Sequence, residues 1–296
     1  MLSITKYAAI DIGSNAIRLL IANVIEQPGY PTLFRKNALV RVPIRLGEDV
    51  FINGEISEVN QGRMIDAMKA FRLLMNAHQV VKYRACATSA MRDASNGFAF
   101  AKAVKKETSI AIDIIDGVEE AAIIATTDLK TFIKEDRTYL YVDVGGGSTE
   151  LTIYHMGKIV ASKSFKIGTV RLLNDLVASE DWDLFKKWIV EHTLVYPHID
   201  LIGSGGNINK VFKLSSKKPG KTLSFLYLTQ LYKELNEMSY EERIVKLSLN
   251  PDRADVIIPA IRIYLQAMKT SKGKQIIVPK IGLSDGIIRR LYQVTS

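Results

Sequence analysis

A chain of 296 residues, 47% hydrophobic and 24% charged, can bury one or two proper cores and is too apolar to remain disordered. Its single cysteine excludes an intrachain disulfide framework and any multi-cysteine zinc site. The formal net charge of +9 favours a polyanionic partner, but the basic pairs Lys105-Lys106, Lys186-Lys187 and Lys217-Lys218 are short, scattered and free of interleaved aromatics, so they read as solvated faces and not as a nucleic-acid surface.

Lys6 and Asp11 interrupt the apolar start of the chain, and no uncharged run reaches membrane-spanning length. Neither a leader nor a membrane partner is expected, and the expected location is the cytoplasm. Residues 7 to 24 read as a hairpin, and Ser57 precedes an amphipathic helix with Met64, Met68, Phe71 and Met75 on one face. A strand at 80–88 containing Cys86 as a small buried side chain, a helix at 94–107, a strand at 110–115 and a helix at 119–133 continue the α/β alternation. The second half restarts with strands at 139–144, 151–154 and about 158–166, then helices at about 169–178 and 181–194. In the latter, Trp182, Phe185, Trp188 and Ile189 fall at helical spacing and read as core. A strand runs through Leu201-Ile202-Gly203-Ser204-Gly205-Gly206-Asn207 into a helix ending at Leu214, an anion-binding arrangement in many α/β proteins. A last strand at 275–278 and a helix entered through Gly282-Leu283-Ser284-Asp285-Gly286 close the chain. His78, His155, His192 and His198 show no metal-ligand spacing.

The chemistry concentrates in Val142-Asp143-Val144-Gly145-Gly146-Gly147-Ser148-Thr149-Glu150. Three glycines cost backbone entropy and add nothing to a core. They either serve left-handed turn positions or present a row of backbone N–H groups to an anion. Asp143 and Glu150 flank the turn with the oxygen ligands that Mg²⁺ takes. Sliding the sequence by 132 positions lays Asp11 on Asp143, Gly13 on Gly145 and Arg18 on Glu150. An offset of this length implies two related halves, with two phosphate hairpins expected to face each other across a cleft.

Six segments then resemble the exopolyphosphatase/guanosine pentaphosphate phosphatase (Ppx/GppA) family, in family order: Asp-Ile-Gly-Ser-Asn at 11–15, Ala-Thr-Ser-Ala-Met-Arg at 87–92, Gly-Val-Glu-Glu-Ala at 117–121, Asp-Val-Gly-Gly-Gly-Ser-Thr-Glu at 143–150, Gly-Ser-Gly-Gly at 203–206 and Leu-Ser-Asp-Gly at 283–286. The resemblance implies an α/β fold of two ribonuclease-H-like domains, as in the actin, sugar kinase and Hsp70 superfamily, around a central cleft. The expected division is 1–124 and 125–296, as in the short form of the family, which lacks the C-terminal helical HD-type domains of longer members.

By that resemblance Glu120 is the catalytic base, while Glu119 reads as a helix-dipole or salt-bridge residue. Asp143 and Glu150 match the metal-linked acids, for Mg²⁺ or another divalent ion. Candidate phosphate contacts are Gly13, Ser14, Asn15, Arg18, Arg92, Gly145, Gly146, Gly147, Ser148, Thr149, Gly205 and Gly206. Arg92 either grips phosphate or pairs with Asp93 or Glu107, and Arg18 either grips phosphate or pairs with Glu150. Gly168-Thr169 and Arg171 resemble a further family segment, whereas Ala16 and Asn207 stand where serine and threonine are common.

The expected activity is metal-dependent release of orthophosphate from the end of inorganic polyphosphate, with guanosine pentaphosphate as the alternative substrate. Two other classes stay open: an actin-like kinase or nucleotide switch, and a non-catalytic polyphosphate sensor. A homodimer rests on the resemblance alone.

Overall fold

The computed structural model describes residues 1–132, 134 and 136–294. By contacts the chain divides into two compact units, Met1–Thr127 with Gly282–Ser296, and Asp128–Ile281.

In the first unit, β1 (Ser3–Ile12) and β2 (Ile17–Glu26) form the expected hairpin, with Asp11 directly opposite Arg18. Their side chains are buried over most of both strands, as expected for the middle of a sheet covered on both faces. β3 (Leu33–Val42) pairs along the outer side of β2, and α1 (Leu46–Asn53) and α2 (Glu58–Ala77) follow. The Ser57 hydroxyl caps α2 by accepting from Asn60 N, and Met64, Met68, Phe71 and Met75 are all buried. β4 (Lys82–Ala87) then lies parallel to β1, with Cys86 buried beside Asp11, and α3 (Ser89–Asp93), α4 (Gly97–Thr108), β5 (Ile112–Ile114) and α5 (Gly117–Ala125) complete this stretch. The sheet order is β3-β2-β1-β4-β5.

The helix expected at 94–107 is α4, which begins three residues later, and the short α3 precedes it. Ala94 is extended (φ −72°, ψ 130°), and the chain turns so tightly that a Cβ on Gly97 would lie 2.0 Å from Met91 O. The helix expected at 119–133 starts earlier and stops at Ala125, after which a 3₁₀ turn covers Asp128–Thr131. Thr126 and Thr127 each return a hydroxyl to the carbonyl three residues back, at 2.6 Å, which competes with helix continuation. Ile133, where that helix was expected to end, lies outside the described residues.

The second unit repeats the plan. β6 (Thr138–Val144), β7 (Thr149–His155) and β8 (Lys158–Phe165) form an antiparallel meander, followed by α6 (Thr169–Leu173) and α7 (Ser179–Thr193). β9 (Ile199–Ser204) is parallel to β6 and leads into α8 (Gly206–Leu214). Next come β10 (Leu223–Ser224), α9 (Phe225–Glu237), α10 (Tyr240–Leu247), α11 (Pro251–Ala254), α12 (Ile257–Ser271) and β11 (Gln275–Ile277), in a sheet ordered β10-β11-β9-β6-β7-β8. Leu140, Val142, Phe185, Trp188, Ile189, Ile261 and Met268 share its core, with Trp182 partly buried against them. The helix expected over about 169–178 is only the five residues of α6.

Shared register makes the duplication concrete. Asp143 faces Glu150 on β7 and Ser204 on β9, as Asp11 faces Arg18 on β2 and Cys86 on β4. Three antiparallel strands followed by parallel ones, twice over, are the ribonuclease-H-like arrangement of the actin superfamily.

The last helix, α13 (Leu283–Gln293), corrects the expected division at 124/125, because it returns to the first unit and packs on α5. A Cβ on Gly286 would lie 2.2 Å from Ile123 O, so the two backbones touch, and Thr126 Oγ1 donates to Gly286 O at 3.2 Å. No described helix is long and apolar enough to cross a membrane.

Candidate active site

The triple-glycine turn connects β6 to β7. Gly145 N closes it on Ser148 O at 2.9 Å, while no described residue accepts from the amides of Gly146, Gly147 or Ser148. The glycines that take left-handed backbone angles among the described residues are Gly29, Gly54, Gly157, Gly205 and Gly220, so none of the three in this turn is there for a positive φ. The turn is closely packed by the segment that follows β8. Thr169 N donates to Gly145 O and Val170 N to Gly146 O, at 3.0 and 2.8 Å, while Arg171 Nε donates to Gly147 O at 2.9 Å. A Cβ on Gly168 would lie 2.3 Å from Gly146 O. The segment Gly168-Thr169-Arg171 therefore braces the carbonyl side of the turn.

Asp143 and Glu150 are opposite each other across an antiparallel pair, hence on one face of the sheet, and both are buried. Like charges so placed repel each other, and hydroxyl donors surround them. Ser204 Oγ reaches Asp143 Oδ2 at 3.1 Å, while Ser148 Oγ and Ser164 Oγ both donate to Glu150 Oε1, at 2.6 and 2.9 Å. Burial, and then the Asp143 charge, push the phenols of Tyr141 and Tyr264 well above their usual range. Tyr264 donates to Ser204 O. A Cβ on Gly205, where φ is 111°, would meet Val144 O at 2.8 Å and Asp143 Oδ1 at 3.4 Å. The start of α8, which has no side-chain cap, is thereby drawn against the end of β6. Arg253 Nη1 holds Gly206 O at 2.9 Å.

The donor set fits a hard divalent cation. Two carboxylates on one face are what Mg²⁺ takes from a protein when waters and substrate phosphate complete its shell. Among the described residues no cluster of three or more His, Cys, Asp or Glu gathers into an all-protein cage. Thr149 departs from the expected phosphate contact, since its side chain is fully buried and its hydroxyl donates to Ile167 O at 2.5 Å.

In the first unit the equivalent hairpin differs in charge. Arg18 Nη1 pairs with Asp11 Oδ2 at 2.8 Å, a partner that the sequence did not offer. Gly13 N closes this turn on Ala16 O at 3.2 Å, and the buried Ser14 hydroxyl meets Ser89 Oγ at 2.9 Å. Asn15 Oδ1 accepts from Arg45 Nε at 3.4 Å.

α5 carries the two adjacent acids. Asp116 caps it by accepting from Glu119 N at 2.8 Å. Glu119 lies at 2.8 Å from Arg84, the salt-bridge role expected of it, while Glu120 is buried to 9% relative exposure. Arg92 sits 3.7 Å from Asp93 and donates through Nη1 to Ile115 O at 3.1 Å, immediately before the α5 cap. Glu107, the other expected partner, pairs with Lys69 at 3.4 Å. Ser164 and Arg84 were not read from the sequence, because no local motif marks them, while Ser204 lies in the glycine segment at 203–206 but meets Asp143 only through strand register.

The sequence profile of the Ppx/GppA phosphatase family matches residues 26–294. A bifunctional 3-dehydroquinate synthase/phosphatase of Fusobacterium nucleatum is 32% identical over 295 residues, covering 92% of this chain, which spans 44% of that protein's length. Exopolyphosphatase 2 of Mycobacterium tuberculosis is 27% identical over 281 residues, 86% of this chain and 88% of that one. Among solved structures, an exopolyphosphatase from Cytophaga hutchinsonii superposes with a TM-score of 0.81 at 25% identity over 98% of each chain. The Aquifex aeolicus Ppx/GppA member gives 0.77 at 24% identity over 99% of each chain, a likeness of fold. On the match of nearly its whole length to the family profile, this chain belongs to the Ppx/GppA phosphatase family.

Proposed function

We propose that this chain is an exopolyphosphatase that releases orthophosphate from the end of inorganic polyphosphate. The observation that carries the reading is the β6–β7 turn, where three backbone amides without a described acceptor stand beside two buried, opposed carboxylates. Such a row of N–H groups binds phosphate oxygens, and transfer of a terminal phosphoryl group depends on positioning and charge neutralisation more than on covalent work by the protein.

In this reading Gly146, Gly147 and Ser148, with Gly205 and Gly206 at the start of α8, hold phosphate oxygens, and Gly145 closes the turn that presents them. Gly13, Ser14, Asn15, Arg18 and Arg92 are the phosphate candidates of the first unit. Glu120 orients the attacking water and takes its proton. The water oxygen bonds to the terminal phosphorus, the bridging P–O bond breaks, and its electron pair leaves with the shortened chain. Asp143 and Glu150 would hold Mg²⁺, which offsets charge on the phosphate oxygens when bound. Binding in the cytoplasm and assembly as a homodimer are further parts of the proposal.

A guanosine-5′-triphosphate,3′-diphosphate pyrophosphatase of Photobacterium profundum, 33% identical over 167 residues, favours guanosine pentaphosphate as the second reading. The two readings share one chemistry and differ in what holds the rest of the substrate. Phosphate release from both substrates, compared as kcat/KM, tests the ordering. The value for polyphosphate is expected to be higher, and a clear preference for the guanosine nucleotide would reverse the assignment.

A further inference from the structure

We propose that Arg84 is a positioning residue for Glu120, acting through Glu119; the proposal rests on the catalytic reading of Glu120 given above. Arg84 leaves β4 and bridges two acids on neighbouring elements. Its Nε lies 2.8 Å from Asp113 Oδ2 on β5, and its Nη2 lies 2.8 Å from Glu119 Oε1 on α5. Arg290 Nη1 on α13 stands 3.7 Å from the same Glu119 oxygen. One carboxylate in the first turn of α5 is thus held from the sheet on one side and from the last helix on the other.

The residue after Glu119 is Glu120. Adjacent helical residues diverge by about 100° around the axis, so an anchored Glu119 fixes the direction in which Glu120 projects. The rest of the turn is tied as well. Asp116 accepts from Glu119 N at 2.8 Å, and Ile115 N donates to Ala87 O at 2.9 Å. Gly286 permits α13 to touch the α5 backbone at Ile123. The side chains of Arg84 and Glu119 are 24% and 37% exposed, and ion pairs at such sites add little to stability. A guanidinium that spans two acids with its fork supplies geometry, which a flexible ammonium does not reproduce.

The experiment compares wild type with Arg84→Met, Arg84→Lys and Glu119→Gln in polyphosphate hydrolysis, thermal unfolding and hydrogen exchange. Arg84→Met and Glu119→Gln should lower kcat by about 10- to 100-fold, as expected for a misplaced catalytic group, with KM within about twofold. Arg84→Lys should recover part of that loss. Tm should fall by no more than about 3 °C, and amides of the first turn of α5 should exchange faster while those of α2 do not. Wild-type kcat in both variants with unchanged α5 exchange overturns the proposal. So does a parallel fall in kcat, kcat/KM and Tm with exchange faster throughout the first unit, which marks a merely structural role. If wild type releases no phosphate from either substrate, the functional reading fails, and α5 exchange still decides whether Arg84 anchors the helix.

Discussion

Replacing Gly168 by alanine probes the triple-glycine turn from the residue packed against it, without replacing any residue proposed to bind substrate. The added Cβ would fall 2.3 Å from Gly146 O, 2.4 Å from Gly147 C and 2.5 Å from Gly146 C. All three are backbone atoms, so no side-chain rotation relieves the overlap, and the turn and the start of α6 must separate by about an ångström. Overpacking of this kind costs about 1–3 kcal/mol. At about 2–4 °C per kcal/mol for a unit of this size, Tm should fall by about 2–12 °C. Displacing the amides of Gly146 and Gly147 by that amount should lower kcat/KM for polyphosphate by up to about 100-fold. Gly62→Ala is the control, since Gly62 lies on α2 with open space around it and should gain about 0.5–1 kcal/mol. Thermal unfolding and phosphate release measure both variants. A Gly168→Ala protein with wild-type Tm and wild-type kcat/KM would refute the argument that close backbone approach at Gly168 holds the turn in place.

Ser164→Ala removes one of the two hydroxyls on Glu150 Oε1 and should raise the Mg²⁺ concentration for half-maximal activity by about tenfold, read by metal titration; an unchanged requirement would disconnect Ser164 from any metal role. Burial pushes the Cys86 thiol up to about 12 from 9.0, so its protonated form is favoured by folding, and the associated stability is intact below about pH 9 and lost as pH rises toward 12. Denaturant unfolding across that range should fall less steeply with pH for Cys86→Ala than for wild type, and identical slopes would exclude the thiol as a source of alkaline instability.

What the sequence made legible was local and periodic. Apolar alternation on both sides of Asp11-Ile12-Gly13 and Asp143-Val144-Gly145 predicts two hairpins, and the 132-residue offset survives as identical strand register. The face of α2 was readable because its four large residues keep a helical period. β3 went unread: it is an edge strand with Leu33 and Leu39 exposed and a register shift opposite Ile21/Ala22, so its pattern lacks clean alternation. α1, α9, α10 and α12 also went unread. The return of α13 to the first unit depends on backbone contact at Gly286, which resembled another glycine turn in the sequence.

At the candidate site, the carboxylates and glycines were found because they sit in one short run, whereas the residues that hold them arrive from elsewhere. Ser164 meets Glu150 across β7–β8, Ser204 meets Asp143 across β6–β9, and Arg84 reaches Glu119 from β4. Strand register decides the two serine contacts and the placement of α5 decides the third, and both are properties of the folded unit. Arg18 could be singled out by its alignment with Glu150, but only the structure gives it Asp11 as its partner and leaves the first hairpin with a neutral pair where the second has two acids.

The most direct test of the account is phosphate release from polyphosphate by wild type and Glu120→Gln, each with Mg²⁺ and with chelator. The account predicts release by wild type that is lost in chelator, and a decrease of at least about 100-fold in Glu120→Gln with polyphosphate binding retained. Equal release by Glu120→Gln and wild type, or full wild-type activity in chelator, would contradict it.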